Sequence, residues 1–423
     1  MKVAVFGLGY VGFTVACCLA NDGHDVVGFD VSELKTANVN AGICPITEPD
    51  LEAMLKDALA AGRIFATTNV GQYLGGCDMS MVCVGTPSLP DGSHDMRYIT
   101  EVTRQIATHL RGERRSRPMT VVYRSTIKPG TMMGLIAPIF ESILDSPLSN
   151  LVELVYNPEF LREATAVRDY FQPPKIVVGT KDGKPNASMA EIYRSIPAPH
   201  FVVKFSEAEI TKFVDNSWHA TKVAFANEIG RICLQLGISA ATVHQIFVSD
   251  TKLNISPYYL RPGGAFGGSC LPKDVRALQH LSADCGANTP VIDALLSSNN
   301  AHKFRLHQLT TKGLSPGGRV LLVGIAFKAD TDDLRESPNV DLARGLLGSG
   351  FQLSIYDPAI DAQKLTGANL GYAWSQLPQL QSLLVSKKEA ESGRYDRVIA
   401  ASRTLRTLNL SPHQDILDLN QLQ

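Results

Sequence analysis

Long apolar runs are missing from this 423-residue chain: stretches such as RVLLVGIAF fall well short of the roughly 20 residues that a membrane helix needs. No membrane span is expected. The opening MKVAVFGLGYVGFTVACCLA has a single basic residue before a strand-like run and is punctuated by glycines, which argues against a cleaved secretion signal. Charge of one sign is missing too. The 40 basic and 41 acidic side chains leave a formal charge of -1, so a surface built to coat a polyanion or nucleic acid is not expected. The eight cysteines contain no CxxC and no regular cysteine-histidine cluster, so neither a disulfide scaffold nor a metal module is indicated. A reducing, cytoplasmic setting fits that usage.

What the chain does have is apolar mass, 44% of its residues against 19% charged, enough for two or three domains of about 150 residues. Lys2 to Phe6 reads as a buried strand, Gly7 to Gly12 as a tight turn entering a helix, and Val26 to Asp30 as the next strand. Further strands are expected at Met79 to Val84, Met119 to Tyr123 and Lys175 to Val178. From Ser206 to about Leu236 no proline interrupts a mix of alanine, aromatic and polar residues, which predicts one long helix with more helices following toward Asn300. LSPGG at 314–318 marks a second change, after which strand patterns return near residues 319, 352 and 397. The fold class is therefore α/β: two Rossmann-like open parallel-sheet domains, 1–200 and 301–423, joined by a central α-helical domain at 201–300. The two α/β ends have the look of a distant duplication.

Gly7, Gly9 and Gly12 form GxGxxG at a strand-to-helix transition, where small residues permit a tight turn and close approach of a pyrophosphate. Asp30 follows at a strand end, placed to accept hydrogen bonds from an adenosine ribose and to disfavour a phosphate there, so NAD is expected over NADP. Tyr10 and Val11 offer the turn backbone, and Lys35 on the next helix can reach a ribose or phosphate. Thr86 in VGTP and Thr126 in RSTIKPG place hydroxyls in loops after strands, where such sheets gather ligands. In NPEFLRE, Glu159 and Glu163 stand four apart and would share a face if the segment turned as a helix. Lys212, Asn216, His219 and Asn227 form a polar track along the long helix. Cys270 follows a glycine-rich loop and precedes Lys273 and Asp274; one helical turn would bring it beside Asp274, and a thiolate there is a competent carbonyl nucleophile. A buried inert cysteine is the other reading. Lys328 and Arg335 flank an acidic loop and either hold a diphosphate or form a salt-bridged hinge.

The order GLGYVG, VGTP, RSTIKPG, NPEFLRE, Lys212 with Asn216, AFGGSCLPKD and GIAFKADTDDLRESP resembles the nucleotide-sugar 6-dehydrogenases across nearly the whole chain, and SPYYLRPGGAFGGSCLPKDVRAL resembles the GDP-mannose branch more than the UDP-glucose branch. That resemblance implies four-electron oxidation of GDP-mannose at C6 to GDP-mannuronate with two NAD reduced, by way of a cysteine thiohemiacetal and thioester; UDP-glucose giving UDP-glucuronate is the alternative. It implies Cys270 as nucleophile, Lys212 and Asn216 as oxygen-stabilising groups, Glu159 as acid-base, and Thr126 and Asp274 as organisers of water. Val11, Asp30, Lys35, Thr86, Lys273 and Arg335 go to NAD; Glu163, His219, Asn227, Tyr258, Tyr259, Arg261, Gly267 and Lys328 go to the sugar nucleotide. Gly264 stands where the resembled motif often has phenylalanine, which leaves only its backbone for contact. A homodimer, larger assemblies being open, and supply of alginate or a related exopolysaccharide are also implied.

Overall fold

In a computed structural model, residues 1–90, 93–162, 164–256, 263–268, 271–329 and 331–420 are described. They form two compact units, 1–219 and 220–423.

The first unit is built on an eight-stranded sheet of β1 (Lys2–Phe6), β2 (Asp25–Phe29), β3 (Ile64–Thr67), β4 (Met79–Val82), β5 (Met119–Tyr123), β6 (Val152–Tyr156), β7 (Ile176–Thr180) and β8 (His200–Lys204), in the order β3-β2-β1-β4-β5-β6-β7-β8. Every neighbouring pair is parallel except β6 with β7. Strand β8 carries the sheet past residue 200. Alternate residues of β1 feed opposite cores: Val3 and Val5 pack with Phe13 and Leu19, Ala4 and Phe6 with Ile99 and Ile106. A strand with both faces covered must be apolar throughout, which is why KVAVF shows no polar alternation. Strand order reverses between β1 and β4, and such a switch point opens a crevice at the carboxyl ends of the strands.

The long helix Phe205–Gln235 follows, within one residue of the expected bounds, and the chain passes from the first unit to the second along it. Two buried carboxylates on this helix each serve one unit. Glu209 accepts from the amides of Gly130 and Met132 at 2.6 and 2.8 Å; burial pushes its carboxyl above the ordinary value, although those amides pull the other way. Glu228 accepts from Val291 and Ile292 at 2.8 and 3.0 Å, capping the start of helix Pro290–Thr311.

In the second unit, helices Ala240–Ser249, Leu271–Asp284 and Pro290–Thr311 precede a four-stranded parallel sheet. Its strands are β9 (Arg319–Val323), β10 (Gln352–Tyr356), β11 (Arg397–Ala400) and β12 (Ile416–Asp418), ordered β10-β9-β11-β12. The two sheets repeat one device. After β1, Gly7 (φ +88°) donates to Phe29 O at 2.7 Å and Leu8 to the Asp30 carboxylate at 2.9 Å. After β9, Gly324 (φ +91°) donates to Tyr356 O at 2.9 Å, while Ile325 and Ala326 donate to the Asp357 carboxylate at 2.9 and 3.2 Å. The two turns thus share one chemistry.

Glu228→Ala leaves two amides at a buried helix start without their acceptor and should cost about 1–3 kcal/mol. Glu228→Gln keeps one acceptor oxygen and should recover part of that loss; thermal unfolding of both variants measures it.

Candidate active site

At the amino-terminal turn, a Cβ on Gly12 would lie 1.9 Å from Gly7 O, so only glycine lets the helix Tyr10–Asn21 start this close to β1. A Cβ on Gly9 would meet nothing within 4 Å, which leaves open space above the helix start. The first turn of this helix carries no acidic residue, and the first bond of its ladder runs from Phe13 N to Gly9 O. Amides before that bond suit a pyrophosphate. The Tyr10 side chain is directed elsewhere: its hydroxyl donates to Glu48, a buried carboxylate that also accepts from Ala164 N at 2.9 Å and Ala166 N at 2.8 Å. Glu48 was not expected from the sequence, where a lone acid before a proline has no signature.

Asp30 is more heavily engaged than a ribose-binding acid needs to be. Besides Leu8 N, it accepts from Ser32 N at 3.1 Å and from Lys35 Nζ at 2.7 Å. Burial alone would raise its pKa, but these donors outweigh it and hold the carboxyl below its usual range. Lys35 therefore meets Asp30 rather than standing free, and the pair leaves Asp30 Oδ1 the less crowded oxygen for a hydroxyl.

The two hydroxyl loops meet: Thr86 Oγ1 donates to Thr126 O at 2.8 Å, and Ser125 Oγ donates to Val84 O. Beside them, at the end of β6, the NPEF segment is irregular rather than helical, which corrects the expected helical turn at Glu159. The Glu159 carboxylate bonds its own Leu161 amide at 2.8 Å, a local bond that competes with a helical ladder. Lys212 Nζ lies 2.9 Å from Glu159 Oε1 and 2.8 Å from Glu159 O, with both side chains largely buried. The Phe160 ring lies 5.7 Å from Lys212 Nζ and 4.8 Å from Lys175 Nζ, and Lys175 pairs with Asp215 at 2.7 Å. An acid and an ammonium 53 residues apart thus form one unit. Asn216 and His219 stand exposed farther along the same helix.

Beneath these loops lies a network that sequence reasoning missed. Arg124 directly follows β5 and is 5% exposed; its Nη1 donates to Asn157 Oδ1 and, at 2.7 Å, to the Tyr193 hydroxyl. Asn157 Nδ2 donates to Val177 O at 2.7 Å. The only sequence signal is a charge directly after an apolar strand.

The second unit brings two signature segments together. Gly268 N donates to Glu336 O at 3.2 Å, and a Cβ on Gly267 would lie 2.3 Å from that oxygen, so Gly267 and Gly268 lie flush against Glu336. Arg276 pairs with the Glu336 carboxylate. Asn299 grips Phe266 at both backbone groups, accepting from its amide at 2.9 Å and donating to its carbonyl at 2.8 Å; next to it, His302 bonds Gly263 O at 2.7 Å. Gly264 is exposed just beyond. Arg335 forks onto Asp333 at 2.9 and 2.8 Å, Lys273 pairs with Asp274 at 2.9 Å, and Lys328 and Asn227 are exposed. Asp274 stands on helix Leu271–Asp284, and its expected one-turn relation to Cys270 falls outside the described residues. Glu163, Tyr258, Tyr259, Arg261 and Cys270 lie outside the described residues. Among the described residues, no group of three metal-ligating side chains and no membrane-spanning helix occurs.

A dinucleotide turn on one largely parallel sheet, with a second, parallel sheet repeating its chemistry, defines an NAD-linked dehydrogenase class, and the comparisons narrow it. Residues 1–197 match the NAD binding domain, 206–301 the central domain and 321–403 the UDP binding domain of the UDP-glucose/GDP-mannose dehydrogenase family, and the chain belongs to that family. The GDP-mannose 6-dehydrogenase of Pseudomonas putida is 42% identical over 406 residues, 95% of this chain and 91% of that protein. The fold is similar to a crystal structure of a ternary complex of GDP-mannose dehydrogenase from Pseudomonas aeruginosa, with TM-score 0.92, 40% identity, and 99% and 96% of the two chains covered. A UDP-glucose dehydrogenase from Pyrobaculum islandicum is 32% identical with TM-score 0.57, covering 100% and 94%.

Because the folded state holds the Asp30 carboxyl below its unfolded value, its contribution to stability is complete above the unfolded pKa of about 3.9 and is lost as pH falls through the folded one. The stability gap between the parent and Asp30→Asn should therefore stay level from neutral pH to about 5 and shrink below about 4. Urea titrations across that range check it.

Proposed function

We propose that this chain oxidises the C6 alcohol of GDP-mannose to the carboxylate of GDP-mannuronate, reducing two NAD per sugar. The observation that carries the reading is its greater, full-length likeness to GDP-mannose dehydrogenases than to a UDP-glucose enzyme. The amino-terminal region 1–200 is assigned to NAD, 201–300 to dimer contacts and 301–423 to the sugar nucleotide.

Bound NAD supplies a two-electron hydride acceptor, and the chain's own residues manage oxygen, proton and sulfur. In the first oxidation the C6 hydroxyl loses its proton as C6 loses hydride, giving an aldehyde. The Cys270 sulfur then adds to the aldehyde carbon, and the oxygen of the resulting thiohemiacetal carries the charge that Lys212 and Asn216 are assigned to stabilise. Loss of a second hydride gives the thioester. Water cleaves it, with one proton leaving through the Glu159 side and the thiol restored. The close Lys212–Glu159 pair supports this division, because a largely buried ammonium stabilises a developing oxyanion more than a solvated one does, while its partner carboxylate accepts a proton. Thr126 and Asp274 are assigned to the water, and Thr86, Lys273 and Arg335 to NAD.

For the sugar nucleotide the assigned contacts are Glu163, His219, Asn227, Tyr258, Tyr259, Arg261, Gly264, Gly267 and Lys328. A cytoplasmic homodimer is the assembly proposed. Mass-resolved assay of GDP-mannose with NAD should give the acid and two NADH per sugar, and UDP-glucose under matched conditions should react poorly. One NADH with aldehyde as end product, or a UDP-glucose preference, overturns the reading. Cys270→Ala should suppress acid formation far more than sugar binding; equal product from the variant and the parent removes the covalent role.

A further inference from the structure

The Arg124 network has a geometric relation to the loops above it that the reaction does not yet use. Parallel pairing of β5 and β6 sets Tyr123 opposite Tyr156, so Arg124 and Asn157 are the first residues beyond the paired register on neighbouring strands. Their backbones are tied, Arg124 N to Val82 O and Asn157 N to Tyr123 O, both at 2.9 Å. Their side chains are tied again by the guanidinium bond to Asn157 Oδ1, and the Tyr193 hydroxyl, at the end of helix Ala187–Ile192, bonds both partners. Asn157 and Tyr193 are 1% and 6% exposed, and among the described residues Arg124 forms no ion pair. Thr126 lies two residues beyond Arg124, and Glu159 two residues beyond Asn157.

A guanidinium is a costly way to fill a core, since its desolvation is not offset by a bonded carboxylate here. What it supplies is a rigid planar donor that holds two acceptors at once. We infer that Arg124, with Asn157 and Tyr193, is a positioning device that sets the separation of Thr126 from Glu159 and so governs the water-consuming cleavage of the thioester rather than hydride transfer. This role rests on the reaction proposed above. Water must meet the acyl carbon between a group that orients it and a group that takes its proton, and a displacement of about 1 Å in such a geometry costs up to about a hundredfold in rate. Hydride transfer depends on the nicotinamide and sugar and does not draw on this spacing.

The test uses the full-length enzyme with GDP-mannose and NAD. Tyr193→Phe keeps the ring in the core and removes only the hydroxyl; Arg124→Lys keeps the charge and loses the rigidly placed Nη1 that serves both acceptors. In stopped flow, both should show an initial phase of up to two NADH per active site at the parent's rate, followed by a steady-state rate lowered about tenfold or more. kcat/KM for GDP-mannose should stay within about twofold, with KM falling together with kcat, because the slowed step follows capture of the sugar on the enzyme. Intact-protein mass spectrometry should find an acyl adduct at Cys270 accumulating above the parent's level. Should the initial phase slow in step with turnover, or should both variants match the parent, the role is overturned. If Tyr193→Phe is unstable by thermal unfolding, Arg124→Lys carries the same decision through its burst and adduct. A parent enzyme that forms no acid overturns the underlying reaction itself, which the burst of the variants cannot imitate.

Discussion

Parallel pairing is the constraint on which the first unit depends. With β3, β2, β1, β4, β5 and β6 all running the same way, six carboxyl ends fall on one edge, and every loop that carries assigned chemistry in this unit leaves from it: the glycine turn, the Asp30 turn, VGTP, RSTIKPG and NPEF. Antiparallel strands would have sent half of these to the far side. The loops are then tied to one another rather than left to solvent, by Thr86 to Thr126, by Arg124 to Asn157, and by Lys212 to Glu159. The first two ties join segments that follow different strands and the third joins NPEF to the helix Phe205–Gln235, so the edge behaves as a connected platform.

Reading the sequence worked where a residue type has few substitutes. The dinucleotide turn was legible because Gly12 sits where any Cβ would strike Gly7 O, and the strands β1, β5 and β11 because doubly covered parallel strands are mostly apolar on both faces rather than alternating. The long helix was legible from the absence of proline. What could not be read was pairing across distance. Glu159 and Lys212 were both singled out, yet nothing in their spacing of 53 says that one ammonium would lie against both the carboxylate and the carbonyl of the same residue.

The misreading of NPEFLRE has a local cause. Four-residue spacing of acids is a helix signal only if the backbone is free to turn, and here Glu159 satisfies the Leu161 amide itself. Glu48, Arg124 and Asn299 escaped for a related reason: each is a polar side chain bonded to groups far along the chain, and periodicity reports which face is apolar, not which polar group will be buried. Arg335 falls between the two readings offered for it, since its fork onto Asp333 is the salt-bridged arrangement while its loop is the one that meets the AFGG segment.

Asn299 takes hold of Phe266 as a neighbouring strand would, one acceptor and one donor, but does so from a side chain on a helix. Loop placement is thereby separated from loop identity: the grip reads only main-chain atoms, so the residues on either side can change without moving the backbone they share. Gly264, two residues from the gripped Phe266, contributes only backbone, and shape there is enforced from outside the loop.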